Sequence, residues 1–147
     1  MIPFYDTTIR QVCSDVGTDP DLVSAVVMTE SSGKTHAYRY EPAFFDRYLR
    51  GKDEWKGANP ERVAASYGLM QVMYTTALEH GLTGDPEQLF RPSVGLFYGC
   101  LHLASLLKWS AGNVDQALAA YNGGKGGNAA PPYRNASYVA KVRRHLA

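Results

Sequence analysis

Glu30 is the side chain best placed for acid–base chemistry in this sequence. It ends an apolar helical pattern, DLVSAVVMTE, over residues 21–30, and Ser31 follows it directly. Leu22, Val26 and Glu30 are spaced four residues apart, so the carboxyl shares a helix face with aliphatic side chains. Partial burial disfavours a charged carboxylate, raises its pKa and makes a general acid available near neutral pH. The open alternative is a glutamate at a frayed helix end that turns towards water.

The composition is typical of one globular domain, which we expect to span residues 1–147. Hydrophobic residues make up 45% of the chain and charged residues 20%. The net charge of +1 lacks the clustered basic excess of a nucleic-acid-binding protein, so we expect no nucleic-acid partner. No apolar run approaches the ~18 residues of a membrane span, and no secretory signal is visible at the N-terminus. We expect a monomer.

The metal-ligating residue types show no typical metal-site spacing, so we expect no metal or cofactor. Cys13 and Cys100 each lie in a helical pattern; they could pair, but we favour two reduced, buried thiols. The histidines are His36, His80, His102 and His145.

Helical patterns cover nearly the whole chain, and no long run alternates at period two. We therefore predict an all-α domain with few or no strands. Asx-Pro pairs predict helix starts at Pro20, Pro60 and Pro86, and Asn113 with Gln116 resembles a capping box. The predicted helices cover residues 3–15, 20–31, 41–51, 60–66, 73–80, 92–110, 114–121 and 136–146. The helix at 92–110 is apolar on nearly every face, which predicts a central buried helix.

Residues 33–58 form the least regular stretch and are rich in aromatic side chains. Two interpretations remain open: a small satellite core, expected for Phe44 and Phe45, or an aromatic wall beside a sugar-binding groove. The aromatic residues are Tyr38, Tyr40, Phe44, Phe45, Tyr48 and Trp55.

Four short motifs occur in a fixed order, each at a helix end or on the inner face of a helix. They are Glu30-Ser31, Gly68-Leu69-Met70-Gln71, Ala120-Tyr121-Asn122 and Tyr138-Val139. Together they resemble the soluble lytic transglycosylase family and its relatives, the goose-type lysozymes, over residues 19–146. This resemblance implies a lysozyme-like helical domain that cleaves the β-1,4 bond between N-acetylmuramic acid and N-acetylglucosamine in peptidoglycan glycan strands.

The resemblance also implies roles for individual residues. Glu30 would act first as general acid and then as base, which closes a 1,6-anhydro ring on the muramic acid. Tyr138 would orient the Glu30 carboxyl, and the remaining motif residues would bind substrate. These are Ser31, Gly68, Met70, Gln71, Tyr121 and Asn122. Ordinary structural interpretations stay open: helix capping for Ser31 and Asn122, and core packing for Met70, Tyr121 and Tyr138.

The segment between Ser31 and Gly68 is longer than in many relatives and carries extra carboxylates. An inverting hydrolase needs a second carboxylate roughly 6.5–9.5 Å from the acid. Glu41 and Asp46 are the candidates, which leaves open a muramidase that uses water. Otherwise Asp46 would pair with Arg47 or Arg50, and Glu41 would be a helix N-terminal charge.

We therefore predict a lytic transglycosylase, with the muramidase and a non-catalytic glycan-binding or structural module as alternatives. The missing signal and wall-binding module lead us to expect a bacteriophage endolysin or a virion-borne enzyme acting on the bacterial cell wall.

Overall fold

A computed structural model describes residues 5–146 as a mostly helical protein with one small antiparallel sheet. The predicted start of the first helix, at residues 3 and 4, lies outside the described residues. The helices are α1 (Asp6–Val16), α2 (Pro20–Ser31), α3 (Pro42–Phe44), α4 (Pro60–Val63), α5 (Tyr74–Glu79), α6 (Pro92–Trp109), α7 (Val114–Gly123) and α8 (Ala136–Leu146). The strands are β1 (Tyr38–Tyr40), β2 (Ala65–Tyr67) and β3 (Val72–Met73). A π-helical turn covers Phe45–Leu49, and 3₁₀ turns cover Asp53–Trp55 and Pro86–Phe90.

Side-chain caps begin three of the four helices whose starts were predicted. Asp19 accepts a hydrogen bond from the Asp21 amide at 3.0 Å, and Asn59 accepts one from the Glu61 amide at 3.0 Å. Each cap satisfies an amide that has no partner within the helix. The third, Asn113, accepts from the Gln116 amide at 3.1 Å.

Two of these local predictions need correction. The reciprocal half of the capping box is absent, because the Gln116 side chain donates to the Asn128 and Ala129 carbonyls instead. Asp85 begins a 3₁₀ turn and makes no capping hydrogen bond; its carboxylate lies 3.5 Å from Arg62.

The sheet has the order β1-β2-β3, with Tyr38 opposite Tyr67 and Tyr67 opposite Val72. Its strands are two or three residues long, consistent with the expectation of few strands. The tight connection between β2 and β3 carries the Gly68–Gln71 motif. Gly68 has φ +78° and Gln71 has φ +50°, so two left-handed residues bracket this turn.

The main core lies where α6 packs against α1 and α7, and where α2 packs against α8. The predicted central helix therefore forms, but it is buried along one side only: Phe97 is 39% exposed. Two glycines of this helix lie against the rest of the core: Gly95 faces the Leu89 carbonyl, and Gly99 faces the Met70 side chain.

Cys13 and Cys100 are both buried and free, as predicted. The two thiols interact across the α1–α6 contact, and the hydrogen bond from Cys100 lowers the pKa of Cys13. Across residues 5–146, no helix combines the length and apolar character needed to cross a bilayer.

Candidate active site

A groove of about 910 Å³ brings together side chains that lie between residues 29 and 141 in the sequence. Its lining includes residues from β1 and the π-helical turn, and residues from α5 and α6. Glu30, Tyr121 and Tyr138 belong to the same lining. A smaller cavity of about 640 Å³ between α1 and α6 contains none of the predicted site residues. The larger groove is therefore the candidate active site.

Glu30 lies in the last turn of α2, half-buried, and its carboxylate accepts a hydrogen bond from the Tyr138 hydroxyl at 2.7 Å. Burial raises the pKa of Glu30 from its ordinary value of 4.5 to about 7. The Tyr138 hydrogen bond and the Arg39 charge lower that pKa, while the Glu41 charge raises it. Near neutral pH the carboxyl is thus available both protonated and ionised, as an acid that must become a base requires.

Ser31 is 7% exposed and does not line the groove. Its hydroxyl lies 2.7 Å from the Leu69 carbonyl and 3.1 Å from the Val27 carbonyl, and it also accepts from the Gly33 amide. These bonds tie the end of α2 to the β2–β3 turn. The predicted contact of Ser31 with glycan is not supported, because the hydroxyl is buried and already bonded.

Gly68 and Met70 face the protein interior, contrary to their predicted role beside the glycan. A Cβ atom on Gly68 would lie 2.3 Å from the Leu89 carbonyl oxygen, so this glycine allows a close approach to the protein's own backbone. Met70 is fully buried and packs against Gly99. A side chain with no exposed surface cannot touch a ligand, so Met70 is a core residue.

Gln71, Tyr121 and Asn122 do line the groove. The Gln71 amide nitrogen donates to the Ala37 and Gly68 carbonyls at 2.9 and 3.0 Å, which leaves its side-chain oxygen as the group for a ligand. The Tyr121 hydroxyl donates to the Met70 carbonyl at 2.7 Å, so this tyrosine presents its ring to the groove. Asn122 is held by a 2.9 Å hydrogen bond from Asn135.

Of the two candidate second carboxylates, one lines the groove and the other does not. Glu41 lines the same groove as Glu30 and pairs with Arg39 at 3.2 Å. Asp46 pairs with Arg50 at 2.7 Å on an exposed surface outside the groove lining. Asp46 is therefore excluded as the residue that activates water, and the surface pairing expected as its alternative is found.

The aromatic stretch serves both of its predicted purposes. Phe45 is buried with Leu49 and Val63 in a satellite core. Phe44 packs against that core and also lines the groove with Tyr48, the two rings lying 4.9 Å apart. Phe44 was expected in the core alone.

Several groove residues carried no recognisable signal in the sequence. Arg39 lines the groove, and its charge lowers the pKa of Glu30. His80 and His102 face the groove as a hydrogen-bonded pair, although their separation in sequence matches no metal motif. Only the packing of α5 against α6 brings these two rings together.

The fold and the motifs agree with the comparisons to known proteins. The family model described as "Transglycosylase SLT domain" matches residues 8–138, and the chain belongs to this family. An inactive mutant of the lytic transglycosylase Slt from Pseudomonas aeruginosa is similar in structure, with a TM-score of 0.70 and 21% identity over 95% of this chain. The 70 kDa soluble lytic transglycosylase from Escherichia coli gives a TM-score of 0.70 and 20% identity over 97%. The chain spans 23% of the length of each of these two proteins.

Replacing Tyr138 with Phe should lower wall cleavage without unfolding the protein. A hydrogen bond to a charged group contributes about 1.5–3 kcal/mol, which corresponds to a loss of roughly 10- to 100-fold. Because the lost bond lowers the pKa of Glu30, the alkaline limb of the pH–rate profile should move to higher pH. Initial rates of clearance of purified walls across pH, with melting temperatures, measure both effects.

Tyr133→Phe is the matched control, since Tyr133 packs against the same core but lies outside the groove lining. A large drop in melting temperature with unchanged specific activity would instead make Tyr138 an ordinary core tyrosine.

Proposed function

We propose that this protein is a peptidoglycan lytic transglycosylase with Glu30 as its acid and base. The observation that carries this proposal is the groove-lining Glu30 carboxyl, bonded at 2.7 Å to Tyr138 and with its pKa raised by burial to about 7. Membership of the transglycosylase SLT family supports the same conclusion.

In the first step, protonated Glu30 gives its proton to the glycosidic oxygen between N-acetylmuramic acid and N-acetylglucosamine. The bond from C1 of the muramic acid to that oxygen breaks, and the N-acetylglucosamine leaves as an alcohol. The acetamido group of the muramic acid holds the positive charge left at C1. Glu30 is now a carboxylate beside Tyr138, whose hydroxyl donates to it.

In the second step, the C6 hydroxyl of the same muramic acid attacks C1. The Glu30 carboxylate takes the hydroxyl proton as the bond from O6 to C1 forms, which releases a 1,6-anhydro sugar. The first proton leaves on the N-acetylglucosamine, and the proton from O6 restores the protonated form of Glu30, so one side chain completes the cycle. Arg39 and Tyr138 stabilise the ionised form, while burial and Glu41 favour the protonated form.

The rest of the groove suits a glycan. The rings of Phe44, Tyr48 and Tyr121 offer flat faces for sugar packing. Polar groups that can bond hydroxyl and acetamido groups line the same groove, including Thr29, Thr76 and Asn122. A volume of about 910 Å³ exceeds what a single sugar needs, as expected for a site that binds a strand.

Mass spectrometry of fragments released from purified peptidoglycan tests this function. We expect muramic acid ends that are lighter by one water than reducing ends and resist borohydride reduction. Glu30→Gln should release no fragments above background. Exclusively reducing muramic acid ends would overturn the transglycosylase proposal while leaving Glu30 as the acid.

A water-using muramidase is the second candidate, favoured by one observation. Glu41 lines the groove with Glu30, and its charge raises the pKa of Glu30. If Glu41 activates water, Glu41→Gln should abolish cleavage. If transglycosylation operates, this variant should still release anhydro ends, because the nucleophile belongs to the substrate.

A further inference from the structure

His80, which directly follows α5, and His102, which lies in α6, form a hydrogen-bonded imidazole pair in the groove lining. Nε2 of His80 lies 3.2 Å from Nδ1 of His102, and both residues line the groove. The ring centroids are 5.3 Å apart at an interplanar angle of 64°, which fits nitrogens that point at each other. The acid–base steps proposed for Glu30 use neither ring, so the pair needs a separate explanation.

The pair lies close to the proposed catalytic centre. The His102 ring is 5.5 Å from the Tyr121 ring. Tyr121 is near Glu30, since the Glu30 charge adds to burial in raising the pKa of Tyr121. A glycan strand passing Glu30 towards α5 and α6 would therefore meet the two histidines.

The His102 ring stays uncharged in the pH range where Glu30 changes its protonation. Burial lowers the pKa of His102 to about 4, with smaller contributions from His80 and Lys125. A neutral imidazole has one N–H donor and one bare nitrogen acceptor. When two neutral rings share one hydrogen bond, one donor and one acceptor are left over, and they exchange places only when both rings change tautomer.

A metal ion explains this geometry less well than a hydrogen bond. Protein metal sites generally supply three or four ligands. Within the described part of the chain, no third histidine, cysteine or carboxylate completes such a cluster around the two rings.

We propose that His80 and His102 act as one glycan-binding pair, holding a hydroxyl or acetamido group of the sugar that occupies the α5–α6 side of the groove. The left-over donor and acceptor match groups that both donate and accept, as sugar hydroxyls do. This inference rests on the proposed function, because it assumes that the groove binds a glycan strand.

The test measures binding in the Glu30→Gln background, where the strand is not cut. The probe is a peptide-free oligomer of alternating N-acetylglucosamine and N-acetylmuramic acid, titrated by calorimetry. We expect His102→Ala and His80→Ala each to weaken binding about tenfold, the effect of one lost hydrogen bond of about average strength. Because the two rings act as one unit, the double variant should lose about as much as either single variant rather than the product of both losses.

His36→Ala is the matched control, since His36 stacks on Phe90 and lies outside the groove lining. It should bind the probe as tightly as the parent does. His102→Gln provides a second variant that retains a polar side chain if His102→Ala unfolds, and melting temperatures identify that case.

The outcomes separate the two proposals. If the parent binds the probe and the histidine variants bind within twofold of it, the pair is not a glycan-binding element and the proposed function stands. If the double variant lost affinity by the product of the two single losses, the two histidines would act independently, which would overturn the paired action. If the Glu30→Gln parent itself bound no glycan, the proposed role of the histidine pair and the proposed function would both be overturned.

Discussion

Glu30→Gln is expected to lose at least two to four orders of magnitude of wall-cleaving activity, the range typical of a lost general acid or base. The amide is close in shape to the carboxyl, so the groove and its Tyr138 contact should persist, but it cannot supply or accept the proton. Turbidity loss of purified cell walls measures the activity, and co-sedimentation with walls measures the retained binding.

Asp46→Asn is the matched control for this substitution. It also replaces a carboxylate with an amide, but at an exposed ion pair with Arg50 outside the groove lining. Exposed ion pairs contribute little, so activity should stay within twofold of wild type. If Glu30→Gln cleared walls as fast as wild type, Glu30 would not be the catalytic group, and a binding module would become the better interpretation.

Glu30→Gln should also be more stable than wild type at alkaline pH. The pKa of Glu30 is about 7 in the folded protein against 4.5 ordinarily, so between these values the native state binds more protons than the unfolded chain. The contribution of Glu30 to wild-type stability therefore falls as pH rises from 4.5 through 7, by about 3 kcal/mol. Glutamine cannot ionise and escapes this loss. Denaturant unfolding should show an advantage for Glu30→Gln at pH 8 that disappears by pH 4; an equal difference at both pH values would mean that burial does not raise this pKa.

Gly68→Ala is expected to cause the largest loss of stability, about 3 kcal/mol or more. Two costs add at this position. The residue has φ +78°, which disfavours a side chain, and the new Cβ atom would lie 2.3 Å from the Leu89 carbonyl oxygen, a backbone atom that cannot rotate away. In a protein of this size the melting temperature should fall by roughly 10 °C.

Gly57→Ala separates the two costs. Gly57 has a similar φ of +76°, but nothing lies within 4 Å of a Cβ atom built there. The stability loss of Gly57→Ala should therefore be limited to the backbone cost of a left-handed conformation, about 1–2 kcal/mol. Equal losses in the two variants would show that the approach of Gly68 to Leu89 is unimportant.

Gly68→Ala should also impair cleavage. The Leu69 carbonyl in this turn accepts a hydrogen bond from the Ser31 hydroxyl, which holds the end of α2 that carries Glu30. Fragment release at a temperature where the variant remains folded measures this effect. Full specific activity there would show that the turn does not position the catalytic residue.

The elements of this fold could be predicted wherever local contacts decide them. Asp19, Asn59 and Asn113 begin helices because each side chain bonds an amide two or three residues away, which a short stretch of sequence already contains. The apolar pattern before Glu30 likewise predicts a half-buried carboxyl. Strands β1 to β3 were not located from the sequence, because each is only two or three residues long and depends on pairing with strands elsewhere in the chain.

The sequence by itself determined the helical class, the three capped helix starts and the glutamate whose pKa burial would raise. Only the tertiary structure decided which motif residues face the groove. The Glu30–Tyr138 hydrogen bond joins residues 108 apart, and the close contact of Gly68 with Leu89 and the His80–His102 pair also join distant segments. Ser31, Gly68 and Met70 proved to support the site from within, and Asp46 lies outside it, because a side chain's exposure depends on what packs over it from the rest of the chain.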